Sequence, residues 1–182
     1  MEIIETPIAG LLIIKPRVFE DARGFFYENY NRGKYKEAGI DLDFCQDNQS
    51  KSTYGVIRGL HYRLNPHSQS KLVSVSIGAV WDVAVDLRKD SPTFGQWYGI
   101  ELTAENKLQF LIPKGFAHGF SVISESALFT YKCDAFYNQA SERGILYNDP
   151  ALSIDWKIPA DKAIVSPKDQ VHLLFKDAEM NF

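Results

Sequence analysis

Gly55-Val56-Ile57-Arg58-Gly59-Leu60-His61-Tyr62, followed by Lys71-Leu72-Val73-Ser74-Val75-Ser76-Ile77, is the stretch on which the fold turns. Both segments are rich in β-branched or aromatic residues and bounded by turn formers, the mark of short strands. In the second, positions 71, 73, 75 and 77 read Lys, Val, Val, Ile, while 72, 74 and 76 read Leu, Ser, Ser. Successive strand side chains point to opposite faces, so Lys71 shares the apolar row. An ammonium there is costly unless it meets a partner or ligand; the other reading is that Lys71 begins the strand and snorkels into solvent.

Outward from this pair, the chain from Asp41 reads as strands for about a hundred residues, with candidates near 44–50, 55–62, 71–77, 79–87, 96–103, 107–112, 118–123 and 126–137, separated by Gly, Pro, Asn or Ser. Before it, an apolar run over 10–15 and an aromatic strand over 25–30 flank the turn-forming Glu20-Asp21-Ala22-Arg23-Gly24. Asn31 and Gly39 bound one short helix as N-cap and terminator. Ser166-Pro167-Lys168-Asp169 carries the signals of a helix start near the C-terminus. Regularly spaced short strands with little helix predict a mainly β antiparallel sandwich or barrel, with a few short helices at its periphery and C-terminus.

The 182 residues, 45% of them hydrophobic, suffice for one substantial core, and the expectation is a single domain over 1–182. A formal net charge of −3 gives no global basic field, so neither nucleic acid nor an acidic membrane is an expected partner, and an anionic ligand must be held by local cations. Cys45 and Cys133 have neither metal-type spacing nor the density of a disulfide framework, which predicts a reduced, cytoplasmic protein. The N-terminus lacks a basic region followed by an apolar core, and no run reaches the length of a membrane span.

Several strands carry polar residues. In Val80-Trp81-Asp82-Val83-Ala84-Val85-Asp86-Leu87 the two aspartates share a face with Val80 and Ala84, opposite a wholly apolar face. For an antiparallel sheet with one wet side the default is that Asp82 and Asp86 face solvent; the alternative is a cavity. Tyr131 aligns with Ala127 and Phe129, as a core aromatic does.

The spacing Gly55 to His61, with Pro113-Lys114-Gly115-Phe116-Ala117-His118-Gly119, resembles the two motifs of the cupin superfamily of jelly-roll barrels. Metal-binding cupins carry His-x-His followed by a glutamate in the first motif. Here Arg63 stands at the second histidine and no glutamate follows closely, and a guanidinium is no ligand. The remaining set, His61, His67 and His118, places His67 in a flexible-looking segment, so no metal is expected. His172, in an apolar C-terminal run, reads as structural.

A closer resemblance joins Arg23-Gly24-Phe25-Phe26-Tyr27-Glu28, Gln46-Asp47-Asn48, Val56 to Tyr62, Lys71-Leu72-Val73, Trp81 to Asp86, Ser91 to Gly95, Pro113 to Phe120 and Tyr147-Asn148-Asp149-Pro150. Together they resemble the dTDP-4-dehydrorhamnose 3,5-epimerase family, metal-independent cupins of deoxysugar biosynthesis, over about residues 3 to 169. The resemblance implies a cofactor-free isomerase that inverts carbons 3 and 5 of dTDP-4-dehydro-6-deoxy-D-glucose, on either side of its ketone. Such inversion needs a base, a group that holds the enolate oxygen and an acid that returns a proton. The resemblance assigns these to His61, Lys71 and Tyr131, with Asp169 fixing the histidine, although pattern alone makes Asp169 a helix cap. It assigns Arg58 and Arg23 to the diphosphate, and Phe26, Glu28, Gln46, Asn48 and Tyr137 to the nucleotide. Asp82 and His118 are expected near the substrate, Asp82 as a partner that keeps Lys71 charged. It also implies a homodimer in which the N-terminal strand segment, with Arg23, Phe26 and Glu28, crosses to the partner.

Arg63 stands where the family usually has glutamine, Ser70 where glycine often precedes the lysine, and Ser74 where arginine is frequent. Two alternatives stay open: an epimerase acting on one carbon of a related keto-sugar nucleotide, and a non-catalytic cupin that binds a nucleotide-sugar. Arg63 disfavours a third, a metal-dependent oxygenase.

Overall fold

The computed structural model describes residues 1–182. In chain order the strands are β1 (Glu2–Glu5), β2 (Leu12–Lys15), β3 (Val18–Asp21), β4 (Gly24–Tyr27), β5 (Gln46–Thr53), β6 (Val56–Arg63), β7 (Lys71–Ile77), β8 (Ala79–Asp86), β9 (Trp97–Thr103), β10 (Gln109–Ile112), β11 (Phe116–Val122), β12 (Ser126–Cys133), β13 (Glu142–Gly144) and β14 (Ile164–Val165). One sheet runs β1-β2-β10-β7-β12-β5, and the facing sheet runs β13-β6-β11-β8-β9 with β14 added in parallel on β6. All other pairings are antiparallel, and β3 and β4 form a separate hairpin. This is the mainly β antiparallel sandwich expected from the strand spacing, with the jelly-roll that the cupin resemblance implies.

The one α-helix, α1 (Arg32–Glu37), starts where Asn31 accepts a hydrogen bond from the Lys34 N–H and gives way to Gly39 at φ +87°. Its Tyr35 packs with Ile14, Leu72 and Leu111 on the outer face of the first sheet. The expected C-terminal helix is only a 3₁₀ turn, Asp169–Val171, because the Ser166 hydroxyl caps the Asp169 N–H while the aspartate side chain is engaged elsewhere.

The principal core lies between the sheets. Val73 and Val75 of β7, Val80 and Ala84 of β8, and Phe120 and Phe129 meet there, the last two stacked at 4.2 Å between ring centroids. Each such fully buried side chain stabilises the fold by roughly 1.5–3 kcal/mol. A second core forms behind the second sheet, where Ile57, Leu60, Val83 and Val85 are covered by Leu152, Trp156 and Met180 of the C-terminal segment. The expected exposure of Asp82 and Asp86 is corrected: Val80 and Ala84, on their face, lie in the core between the sheets, the C-terminal segment covers the opposite, apolar face, and both aspartates are 0% exposed.

Strict alternation along β6 fails at Gly59. Ile57 and Leu60, three apart, both lie in the outer core, while Arg58 and His61 both face the space between the sheets. The pairing of β6 with β11 shifts register between His118 and Phe120. Gly59 sits at φ +132°, and a Cβ there would lie 2.6 Å from Gly119 Cα. Only glycine fits this conformation and approach.

Asp86 anchors the turn that follows β8. Its carboxylate accepts from Arg88 Nε at 2.8 Å and Nη2 at 2.7 Å, Ser91 Oγ at 2.6 Å and Thr93 Oγ1 at 2.7 Å. Burial pushes the carboxyl up, but these donors outweigh it and hold its pKa at about 2, against an ordinary 3.8. A carboxyl more acidic in the folded state contributes stability that is complete above its unfolded pKa and is lost as the pH falls toward the folded value. Asp86→Asn is expected to cost about 2 kcal/mol at neutral pH and to flatten the loss of stability between about pH 5 and 2. Urea unfolding across that range tests it, and an unchanged pH profile in the variant would contradict the account.

Candidate active site

Two adjacent rungs of the first sheet place groups on its inward face. Cys133 of β12 pairs with Lys71 of β7 and Gln46 of β5, and Tyr131 pairs with Val73 and Asn48. From the second sheet, His61 pairs with His118 across β6 and β11. The gap between the sheets therefore receives Lys71 and Tyr131 from one side and His61 and Arg58 from the other.

His61 Nε2 lies 2.7 Å from Asp169 Oδ1, and the Gly59 N–H approaches Oδ2 at 3.4 Å. Asp169 is buried, which pushes its carboxyl up, yet the hydrogen bond and charge of His61 outweigh burial and leave it below the ordinary carboxylate range. An ionised Asp169 fixes the imidazole with its proton on Nε2, so Nδ1 is the nitrogen free to accept another. His61, Arg63, Lys71 and Glu142 line one small cavity, and Arg58, His61, Lys168 and Asp169 line an adjoining groove. His61 is common to both.

Lys71 is half-buried and has no carboxylate within ion-pairing distance. Burial draws its ammonium below the usual lysine range. Asp82, expected as its partner, instead places both carboxylate oxygens 3.0 Å from His118 Nε2. Asp82 is 0% exposed. Burial pushes Asp82 up and His118 down, disfavouring charge on either. Tyr131 is also raised by burial, so its hydroxyl holds its proton at neutral pH.

At the mouth, Arg58 Nε donates to Ser52 Oγ at 3.1 Å, linking the two sheets. Gln46 Nε2 donates to Asn48 Oδ1 and Gln46 Oε1 accepts from the Tyr137 N–H. The Tyr137 ring lies under the Arg63 guanidinium at 4.4 Å, and its hydroxyl donates to Glu142. Arg63 is further held by Gln69 Oε1 and Asn138 O. Arg23, Phe26 and Glu28 are not brought here within the chain. Arg23 pairs with Asp21, Glu28 accepts from Asn31 and Lys34, and Phe26 is 70% exposed. His67 is exposed and apart from His61, and His118 is engaged by Asp82, so the cupin-type histidine set does not assemble.

One group was missed. His172, read as structural, sets its Nε2 3.4 Å from Asp169 Oδ1 and its ring edge-on to His61 at 5.8 Å between centroids. Burial, then the charge of His61, lower its pKa. Its place three residues after Asp169 was the available signal, obscured by the apolar run around it.

The family profile described as dTDP-4-dehydrorhamnose 3,5-epimerase matches residues 5–177. The dTDP-4-dehydrorhamnose 3,5-epimerase of Shigella flexneri is 52% identical over 180 residues, 98% of each chain. Among solved structures, the enzyme of that name from Elizabethkingia anophelis is 58% identical with a TM-score of 0.93 over 97% of each chain. The dTDP-6-deoxy-D-glucose-3,5-epimerase of Legionella pneumophila, in complex with dTDP-4-keto-L-rhamnose, is 52% identical with a TM-score of 0.93, over 97% of this chain and 93% of that one.

The buried His118–Asp82 pair yields a stability prediction. His118→Leu leaves the Asp82 carboxyl buried without its hydrogen-bond partner and is expected to cost about 1–3 kcal/mol, whereas adding Asp82→Leu should recover most of it, since apolar replacement of both partners is often close to neutral. Denaturant midpoints of wild type, single and double variants decide; additive losses would show that the two groups do not depend on each other.

Proposed function

The chain belongs to the dTDP-4-dehydrorhamnose 3,5-epimerase family and is an isomerase of that class; we propose that His61, Lys71 and Tyr131 carry the reaction, with Asp169 holding the base. The observation that carries the reading is the His61–Asp169 contact at 2.7 Å beside a cavity that His61 shares with Lys71. The substrate is dTDP-4-dehydro-6-deoxy-D-glucose and the product dTDP-4-dehydro-L-rhamnose.

With Nε2–H engaged by Asp169, His61 Nδ1 removes a proton from a carbon next to the ketone, and the imidazolium so formed is stabilised by the aspartate. The electron pair moves onto the ketone oxygen, where Lys71 meets it. Donors aimed at a developing oxyanion are typically worth about a hundredfold to a thousandfold in rate. Approach of that anion restores the charge preference that burial takes from the lysine. Tyr131 stands on the sheet opposite His61, so a proton it returns arrives on the face of the sugar opposite to the one deprotonated, which is inversion. No cofactor is required by this sequence of steps.

Arg58 at the groove suits the diphosphate, and Gln46, Asn48 and Tyr137 suit the nucleotide. The β3–β4 hairpin leaves Phe19, Phe25 and Phe26 more than half exposed, an apolar surface that favours a second chain. In the proposed homodimer this segment crosses to the partner and delivers Arg23, Phe26 and Glu28 to its pocket. Both cysteines are free, which suits the cytoplasm, and no helix is long and apolar enough to cross a membrane.

Proton NMR of the keto-sugar nucleotide in deuterated water tests the assignments. The wild type is expected to exchange protons at both carbons. His61→Asn should abolish exchange while still binding substrate, and full activity in that variant would sink the mechanism. Tyr131→Phe should preserve proton wash-out better than completed inversion; equal losses would count against its role as acid.

A further inference from the structure

Asp169 Oδ1 is approached by two imidazoles, and the proposed chemistry uses only one. His61 Nε2 stands at 2.7 Å and His172 Nε2 at 3.4 Å, and the three donor atoms lie within 4.8 Å of one another. His172 Nε2 is buried and makes no hydrogen bond, despite its nearness to the carboxylate. Its ring rests directly on the backbone of β13: a Cβ on Gly144 would lie 2.3 Å from Nε2. The nitrogen is therefore packed in place, near an anionic oxygen and unpartnered. A buried polar atom of this kind asks for a ligand.

Two imidazole nitrogens and one carboxylate oxygen suit zinc and its neighbours in the transition series, and suit magnesium or calcium poorly. With bonds of about 2.0–2.1 Å, tetrahedral zinc holds its ligand atoms roughly 3.3–3.4 Å apart. The His172 contact already has that spacing, and the His61 contact has to open by roughly 0.6 Å, the difference between that edge and a proton-bridged pair.

We propose that His61, Asp169 and His172 form an inhibitory zinc site at the catalytic base. Zinc takes the place of the proton between His61 Nε2 and Asp169. The neutral imidazole keeps one proton, which moves from Nε2 to Nδ1. Nδ1 is the nitrogen assigned to receive the sugar's α-proton, and once protonated it has no lone pair to offer. Zinc thus silences the base without filling the space between the sheets, so turnover falls while substrate binding persists. The inhibition rests on the assignment of His61 as base; the binding of zinc does not.

Calorimetric titration of zinc chloride into metal-free protein separates the two. Wild type is expected to bind one equivalent per chain in the micromolar range, His172→Leu at least tenfold more weakly, and His67→Ala, an exposed control, as wild type. If the leucine variant does not fold, His172→Gln serves in its place. In the activity assay zinc should lower kcat at least tenfold with KM little changed, a chelator should restore it, and the His172 variant should keep the same turnover, whatever its basal value, with and without zinc. No stoichiometric binding, or equal binding by the His172 variant, overturns the site. His172-dependent binding without loss of turnover overturns the inhibition and, with it, the role of His61 as base.

Discussion

The near-contact of β6 and β11 at Gly59 and Gly119 is the constraint on which the site depends. A side chain at either glycine would meet opposing backbone, at 2.6 Å from Gly59 and 2.7 Å from Gly119. Their absence lets the strands close over a register shift, which turns Arg58 and His61 to the same side although they are three residues apart. In an unbroken strand an odd spacing would send one of them into the outer core. Arg58 and His61 would then never face one groove.

The interior so formed is more polar than a core of this size requires for stability alone. Asp82 and His118 are buried against each other, and Lys71, its charge disfavoured by burial, stands without an ion-pair partner. Burying charge without full compensation is unfavourable, and proteins tolerate it where chemistry needs the group. The apolar packing of Val73, Val75, Val80, Phe120 and Phe129 a rung or two away offsets that cost. Asp86, on the same strand as Asp82, shows the other outcome: given four side-chain donors, a buried carboxylate becomes a structural anchor.

Period-two alternation was enough to place the strands from β5 to β12 within a few residues and to set Lys71 and Tyr131 on the apolar rows of their strands, because burial on at least one face imposes that period on the sequence. It was not enough for Asp82 and Asp86. Which face of β8 turns toward the other sheet is not recorded in 79–87: the apolar face of Val83 and Val85 lies outside, under Leu152 and Trp156 from some seventy residues later, and the aspartates' face lies between the sheets. β1 and β3 were missed because β1 sits at a sheet edge and Glu20-Asp21 of β3 reads as turn chemistry. The pairing of Asp169 with His61 was legible only through family resemblance, since Ser166-Pro167-Lys168-Asp169 is also a sound helix start. The chain uses both properties, with Ser166 as the cap and Asp169 as the carboxylate. His172 escaped because an apolar run disguises a ligand as a core residue.

The C-terminal segment ties these strands of argument together. It has little regular structure of its own, only 3₁₀ turns and the short β14, so its conformation is set by what it covers. By seating Leu152, Trp156 and Met180 on the outer face of the second sheet it buries the strand that carries Asp82. By pairing β14 with Val56 and Ile57 it fixes the distance from which Asp169 reaches His61. The β-sandwich would have a hydrophobic interior without this segment, but its histidine would lack the carboxylate that selects a tautomer. Closure of the outer core and the seating of Asp169 against His61 are therefore tied together in this fold, and a loss of packing at Trp156 would be felt at Asp169.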